Sequence, residues 1–422
     1  MCDATGVRQL LSRLFEAGVA AARPEVLIAS LLPSKPSGRC LVIGAGKASA
    51  AMAKAVEQSW PDVELSGVVS TRYGHGVACD RIMVIEAGHP VPDASSVVAA
   101  EAMLGLLAGS RADDLVLALI SGGGSACLAK PRAGLTLDAK RAITDALLKS
   151  GATIAEMNCI RAHLSAVKGG QLALAAYPAR LVTLVISDIP GDDPALVASG
   201  PTLPCASTPA DALALLDRYG IALPLEVRSA FEQEASTAAS DLADMAADCR
   251  IVASPQMALS AIAKLAVSAG FEVEILGDSV EGEASMVAQQ IAELCIERAA
   301  DSSRTLPLAI ISGGETTVTL PSGCNANGGR NTEFQLALAL ALDGHPRIWS
   351  IAGDSDGIDG VSDAAGAIVE PDTLLRARTK SMTPASLLKQ HRSYDFFAGL
   401  GDLVKTGPTL TNVNDLRIQL IF

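Results

Sequence analysis

The sequence predicts an α/β protein of two domains, and three observations carry that prediction. Short apolar runs without polar alternation recur along the chain. Each leads into a glycine-rich polar loop and then a helical pattern, as strands buried on both faces of a parallel sheet do. The chain has 422 residues, more than a single domain of about 150 residues would need. Aromatic residues are only 3% of it while hydrophobic residues are 49%. The cores must therefore be built from Ala, Leu, Val and Ile, which suits helices packed on parallel strands.

The elements follow in order. Val7 to Ala21 reads as an amphipathic helix, with Leu10, Leu11, Leu14, Phe15 and Val19 on one side. Pro33 to Gly38 marks a loop. Cys40 to Ile43 reads as a strand ending at Gly44, and a helix follows over Ala48 to Ser59. The same grammar recurs where Leu115–Ile120 runs into Ser121-Gly122-Gly123-Gly124, and where Leu181–Ile186 runs into Ser187-Asp188-Ile189-Pro190-Gly191. Residues 205–248 are Ala-rich and polar without strand signals, and the domain boundary is placed there, giving domains 1–240 and 241–422. The second set of strands is Arg250–Ala253, Glu272–Leu276, Leu308–Ile311, Ile348–Ile351, Ala367–Val369 and Arg417–Phe422. Ligands on such sheets bind beyond the carboxyl ends of the strands, where the polar loops fall.

The net charge of −13 argues against nucleic-acid and anionic-membrane partners. It leaves room for a small anionic substrate in a local pocket of Arg and Lys. Nine cysteines, an odd number with no C-x-x-C spacing, read as neither a disulfide framework nor a zinc site. They fit buried thiols in a reducing compartment. No basic segment followed by an apolar core opens the chain, and no apolar run reaches the ~20 residues of a membrane span. A cytoplasmic monomer or homodimer is expected.

The loops carry the chemistry. Gly44-Ala45-Gly46-Lys47-Ala48-Ser49 lies between a strand and a helix, where backbone amides and Lys47 suit an anion; a tight turn with a solvated lysine reads equally well. It is not a Walker A sequence, and Ser49 replaces the third glycine of a dinucleotide fingerprint. Ser121-Gly122-Gly123-Gly124-Ser125 is a second anion nest after a strand. Arg161, Ser165 and Lys168 share one helix face, either as a positive wall for an anionic substrate or as a solvated face. Asp188, Asp192 and Asp193 follow a strand end, where carboxylates hold Mg²⁺ on phosphates or take a hydroxyl proton, although some are turn residues; Asp188 and Asp193 are the candidates. In the second half, Gly314-Glu315 repeats the strand–glycine–polar pattern. Arg330 is placed at a helix start to grip a phosphate or carboxylate, with Asn331 or Thr332 as its partner or only as an N-cap. Asp354 to Asp359 forms an acidic glycine loop for Mg²⁺ or substrate hydroxyls. No Ser–His pair suggests a nucleophile with its base. Anion nests, two basic residues and several carboxylates are the equipment of phosphoryl transfer.

The stretches GAGKAS (44–49), GHPVPD (88–93), LISGGGSA (119–126), NCIRAHLSAVKGGQLA (158–173), SDIPGDDPALVASGPT (187–202), SGGETTV (312–318), GGRNTEF (328–334), GDSDGIDGVSDAAGA (353–367) and TGPTLTNVNDL (406–416) span nearly the whole chain. In this order they resemble the type II glycerate kinases, the glycerate 2-kinases that end in a MOFRL domain. Thr332 stands where that pattern has Gln. The resemblance implies a Rossmann-like parallel-sheet N-terminal domain and a smaller C-terminal α/β domain with a mixed sheet. It also implies an ATP- and Mg²⁺-dependent transfer to D-glycerate, at the 2-hydroxyl, with Lys47 and Arg330 as the key basic residues. On this reading the active site lies in the interdomain cleft, Gly44, Gly46 and Ser121 to Ser125 hold anionic groups, and Asp188 or Asp193 is base or metal ligand. Arg161, Lys168, Gly314, Glu315, Asn331, Asp354 and Asp359 complete the site, with Glu315 as a further Mg²⁺ ligand. Two other classes stay open. One is an NAD(P)H-dependent hydroxypyruvate reductase, a label such sequences carry from tartrate degradation. The other is a non-catalytic nucleotide or sugar-acid binder.

Overall fold

Cys40–Ala45 (β1) is buried along its whole length, so an apolar run with no alternation forms a central strand, as expected. It pairs in parallel with Leu65–Arg72 (β2) on one side and Leu115–Ser121 (β4) on the other. Ile82–Ala87 (β3), Arg180–Ile186 (β5) and Asp248–Ala253 (β6) complete the sheet in the order β3-β2-β1-β4-β5-β6. This is the doubly wound order of dinucleotide-binding sheets. The computed structural model describes residues 4–236, 248–303, 306–321, 323–324 and 326–422. The expected boundary at 240 lies outside the described residues.

The chain divides into two compact units, one of Pro24–Ser187 with Gly191–Val252, the other of Met1–Arg23, Asp188–Pro190 and Ala253–Phe422. Two sequence expectations change here. Arg250–Ala253 is not the first strand of the second set; it lies in β6, the last strand of the first sheet. The first helix, Ala4–Ala20, belongs to the second unit. Its buried side holds Leu11, Leu14 and Phe15, and a Cβ added to Gly18 would lie 2.8 Å from both Ile262 and Leu416. An amphipathic stripe shows that a helix is covered, not by which part of the chain.

In the second unit, Glu272–Gly277 (β7) and Leu308–Gly314 (β9) pair in parallel, with Gly282–Glu283 (β8) and Thr316–Thr317 (β10) forming a small ribbon. Ile348–Asp354 (β11), Gly366–Val369 (β12), Leu403–Val404 (β13) and Asp415–Ile421 (β14) add antiparallel pairs. The order is β13-β12-β11-β14-β9-β7, a mixed sheet as the resemblance implies. Helices Ala284–Ala300 and Arg330–Leu342 bury Ile291, Cys295, Phe334 and Leu338 in one core with Ile310 and Ile421. Among the described residues no helix is long and apolar enough to cross a membrane.

Candidate functional site

The first unit holds a pocket of about 450 Å³ lined by His89, Gly123, Ser125, Lys140, Arg141, Asp145, Arg161 and Lys168, among others. Local sequence explains each wall. Helix Leu137–Ser150 buries Lys140, Ile143 and Leu147, so a lysine occupies the stripe where an apolar residue belongs. Helix Ile154–His163 starts at a capping box between Thr153 and Glu156 and carries Arg161 in its last turn. Lys168, only 3% exposed, donates from Nζ to the Ser125 carbonyl at 2.7 Å. Arg141 Nε donates to the Pro92 carbonyl at 2.8 Å and fixes the 88–92 wall.

The lining brings four cations against one carboxylate. Lys140 is buried, and among the described residues its ammonium finds no hydrogen-bond partner. Burial, then Arg161, pushes it down to about 8. Burial, then Lys140 and Arg161, holds Lys168 well below the usual lysine value, and burial lowers Arg161 as well. Cations crowded in low dielectric are destabilised until an anion joins them. His89 is pushed to about 3 by burial, then by Lys47 and Arg72, so its imidazole is neutral. A Cβ on Gly123 would meet Lys47 Cγ and His89 Cδ2 at 3.1 Å each. The Lys47 stem therefore passes over Gly123 beside the pocket wall.

The expected first anion nest is corrected. The amides of its turn are already used: Gly46 donates to Ser70 O at 3.0 Å, Lys47 to Gly122 O at 2.9 Å and Ser49 to Gly46 O at 3.1 Å. Ala48 donates to Ser121 Oγ at 3.0 Å. Gly46 has φ +130°, and a Cβ there would stand 2.3 Å from Ser121 O. Gly44 and Gly124 are likewise crowded by Leu119 O and by Ala45 O. Gly44, Gly46, Ser121 and Gly122 thus lock β1 to the end of β4, and only Gly123 and Ser125 of the two loops line the pocket. Ser125 Oγ lies 2.7 Å from Ser199 Oγ. Ala198 (φ 53°), Ser199 (φ 62°) and Gly200 (φ 56°) are consecutive left-handed residues, the kind of strain that collects at binding sites. Asp193 is exposed and accepts from the Ala195 amide at 3.0 Å, as a turn residue does.

In the second unit Arg330 sits among three carboxylates. It donates to Asp415 at 2.9 Å, to Asp354 at 2.8 Å and to Glu315. Burial opposes its charge, but Asp415, Asp354 and Glu315 outweigh burial and hold it well above the usual arginine value. Asn331 and Asp359 are corrected from substrate contacts to supports. Both are fully buried. Asp359 accepts from the Asn331 amide at 2.9 Å, the Thr332 amide at 2.8 Å and Thr332 Oγ1 at 2.8 Å, capping helix Arg330–Leu342 from a distant loop. Burial raises its carboxyl to about 6 against those bonds. Asn331 Nδ2 donates to Asp415 at 2.7 Å. Gly314 has no room for a side chain beside Val280. Asp188 accepts from Asn412 Nδ2 at 2.9 Å and, through its carbonyl, from Asn414 at 2.6 Å.

Among the described residues no three His, Cys, Asp or Glu side chains are placed to hold a metal ion. Of the expected Mg²⁺ ligands, Asp193 belongs to the first unit and Asp188 and Glu315 to the second. Sequence reasoning missed Lys140, Arg141, His89, Asn412, Asn414 and Asp415. For Lys140 a signal existed: it falls three and seven residues before Ile143 and Leu147, on the apolar stripe.

The family described as "Domain of unknown function (DUF4147)" matches residues 10–232, and the MOFRL family matches residues 308–415. The chain is 54% identical to an Agrobacterium vitis protein provisionally named hydroxypyruvate reductase, over 98% of this chain and 94% of that one. It is 37% identical to the D-glycerate 2-kinase of Thermotoga maritima, over 100% of both. A crystal structure of a glycerate kinase from Thermotoga maritima superposes with a TM-score of 0.88 at 36% identity, covering 99% of this chain and 100% of that one. The chain belongs to the glycerate kinase family that joins a DUF4147 region to a MOFRL region.

Proposed function

We propose that this chain transfers the γ-phosphoryl group of ATP to the 2-hydroxyl of D-glycerate, giving 2-phosphoglycerate and ADP. The observation that carries this is the pocket that buried Lys140 and Lys168 and half-buried Arg161 line with Arg141 and a single carboxylate, Asp145. A small hydroxy acid supplies the missing negative charge, and Arg161 can grip its carboxylate with two parallel bonds. Full-length likeness to a D-glycerate 2-kinase supports the same reading.

In the proposed reaction the glycerate hydroxyl oxygen attacks the γ-phosphorus and its proton passes to the carboxylate of Asp188 or Asp193. The bond to the β-phosphate oxygen breaks, and ADP leaves with the electron pair. Lys47 and Arg330 neutralise the transferring group. Arg330 does so by exchanging Glu315, whose side chain is 54% exposed, while Asp354 and Asp415, at 5% and 0%, keep it aimed. Mg²⁺ would arrive with the nucleotide and neutralise phosphate oxygens, held by one or two of Asp188, Asp193 and Glu315. The free thiols of all eight described cysteines support the cytoplasm as its compartment.

A reductase reading has two observations in its favour, the strand order and the name of the 54% identical relative. Against it, the turn after β1 has spent its amides within the protein and offers none to a pyrophosphate. The test of the kinase reading is D-glycerate phosphorylation by Lys47→Ala and Arg330→Ala variants. Each is expected to lower kcat/KM by about a hundredfold or more, the scale of a lost charge-stabilising donor. Near-normal values in both would overturn the assignment.

A further inference from the structure

A second chemical cluster lies in the first unit, outside the cation pocket. Helix Ile154–His163 presents Cys159 and His163 one turn apart, on the same face. Opposite them runs the segment that leads to Thr208, the N-cap of helix Pro209–Arg218. Cys205 Sγ lies 3.0 Å from Ser207 Oγ. His163 Nε2 lies 3.0 Å from Ser207 O and 3.3 Å from Ser207 Oγ, and the Ser207 side chain also hydrogen-bonds Cys159. Two thiols, an imidazole and a hydroxyl thus meet around one residue.

From this arrangement we infer that Cys205 is an oxidation site for hydrogen peroxide, with Cys159 as its resolving thiol. The Cys205 thiolate attacks one peroxide oxygen, the O–O bond breaks, and hydroxide leaves and is protonated to water. Sulfur is oxidised by two electrons to sulfenic acid and the peroxide is reduced. The Cys159 sulfur then attacks the sulfenic sulfur, the S–O bond breaks, and water leaves with the Cys159 proton, closing a disulfide. Burial works against the Cys205 thiolate, but hydrogen bonds from His163 and Ser207 outweigh it and bring the thiol down to about 7. Burial pushes Cys40, Cys127 and Cys295 up to about 12 instead. The titratable groups facing the cluster are His163 on the helix of Cys159 and Asp211 on the next, and the Arg132 guanidinium donates to the His163 carbonyl at 3.1 Å.

The site is coupled to the cation pocket through the backbone. A Cβ on Gly169 would lie 3.3 Å from Cys205 Cβ. The amides of Gly169, Gly170 and Leu172 bond to the carbonyls of Ser199, Gly200 and Pro201. Lys168 is the residue next to Gly169 and points its ammonium at Ser125. Drawing Cys205 toward Cys159 pulls on the turn that aims Lys168, so oxidation lowers activity.

The experiment treats the reduced full-length protein with hydrogen peroxide and maps its peptides, with dimedone present to trap sulfenic acid in a Cys159→Ser variant. The expected result is a Cys159–Cys205 disulfide in the wild-type protein and a dimedone adduct on Cys205 in the variant. Glycerate phosphorylation should fall about fivefold or more and return with dithiothreitol. Cys205→Ser should keep the basal activity and resist peroxide. The inference is overturned if Cys324 or Cys79 reacts while Cys205 stays free, or if Cys205→Ser loses activity as fast as wild type. Reduced protein with no kinase activity would remove the proposed function instead, and the order of thiol labelling would still decide this site.

Discussion

At the residue scale the pocket is governed by buried lysines that lack a counter-charge. Lys140→Met keeps the stem's apolar contact and removes the ammonium. It should raise the KM for D-glycerate about tenfold or more, since hydrogen bonds to charged groups are worth about 1.5–3 kcal/mol, and leave the fold as stable or more stable. The sign of the pH effect follows from the burial shift. Lys140 titrates near 8 in the folded chain against 10.5 when free, so the unfolded state binds more protons between those values. Its contribution to the ligand-free stability therefore rises as pH goes from about 8 to 10.5, and is least favourable below 8. Wild-type melting temperatures measured across that range should climb relative to those of Lys140→Met. Glycerate affinity should run the other way, falling as pH passes 8, because the neutral amine no longer attracts the carboxylate. Arg161 and Lys168 were legible in sequence as basic residues, but not as one helix face: the helix ends at His163, Ser165 pairs with Pro131 in a bridge, and Lys168 lies in the turn beyond. Lys140 was passed over because a lone lysine among polar neighbours reads as solvated, and only its place on the Ile143–Leu147 stripe betrays it.

At the element scale the glycine turns show where sequence reasoning reached and where it stopped. The strand–turn–helix grammar located β1, β4 and β5 to within about two residues, because runs buried on both faces leave no polar alternation to confuse the reading. It did not find β2 or β3. The buried positions of β2 include Ser70 and Thr71, and β3 is an edge strand buried fully only at Ile82 and Ala87. The turn at 44–49 was seen as a turn, yet its purpose was misread: glycine at a strand end signals close approach, and here the partner is Ser121 rather than a phosphate. Gly46→Ala should accordingly cost about 3 kcal/mol or more through strain at positive φ and collision with backbone, read as a lower urea midpoint. Helix Arg330–Leu342 starts four residues before its apolar run because Asp359, far along the chain, satisfies its first amides. No local pattern announces a cap supplied from a distance. Asp359→Ala should destabilise the second unit by about 2 kcal/mol, in the same denaturation experiment.

At the scale of the whole molecule, each unit contributes a different kind of electrostatics. The first gathers cations around a pocket with too little negative charge. The second gathers Asp415, Asp354 and Glu315 around Arg330, with too much. Length and strand grammar forecast two α/β sets, and the ordered resemblance along nearly the whole chain forecast the family. Composition could not forecast that the first helix and residues 188–190 join the later unit, since covalent order does not fix which core an amphipathic surface finds. The account rests on phosphoryl transfer rather than hydride transfer. Its most direct test gives one sample of purified protein D-glycerate, ATP and Mg²⁺, with products identified by ³¹P NMR, and a second sample hydroxypyruvate with NADH or NADPH. The account predicts ATP-dependent 2-phosphoglycerate in the first and no loss of reduced nicotinamide in the second. Hydroxypyruvate-dependent oxidation of NADH or NADPH without any phosphoglycerate would contradict it.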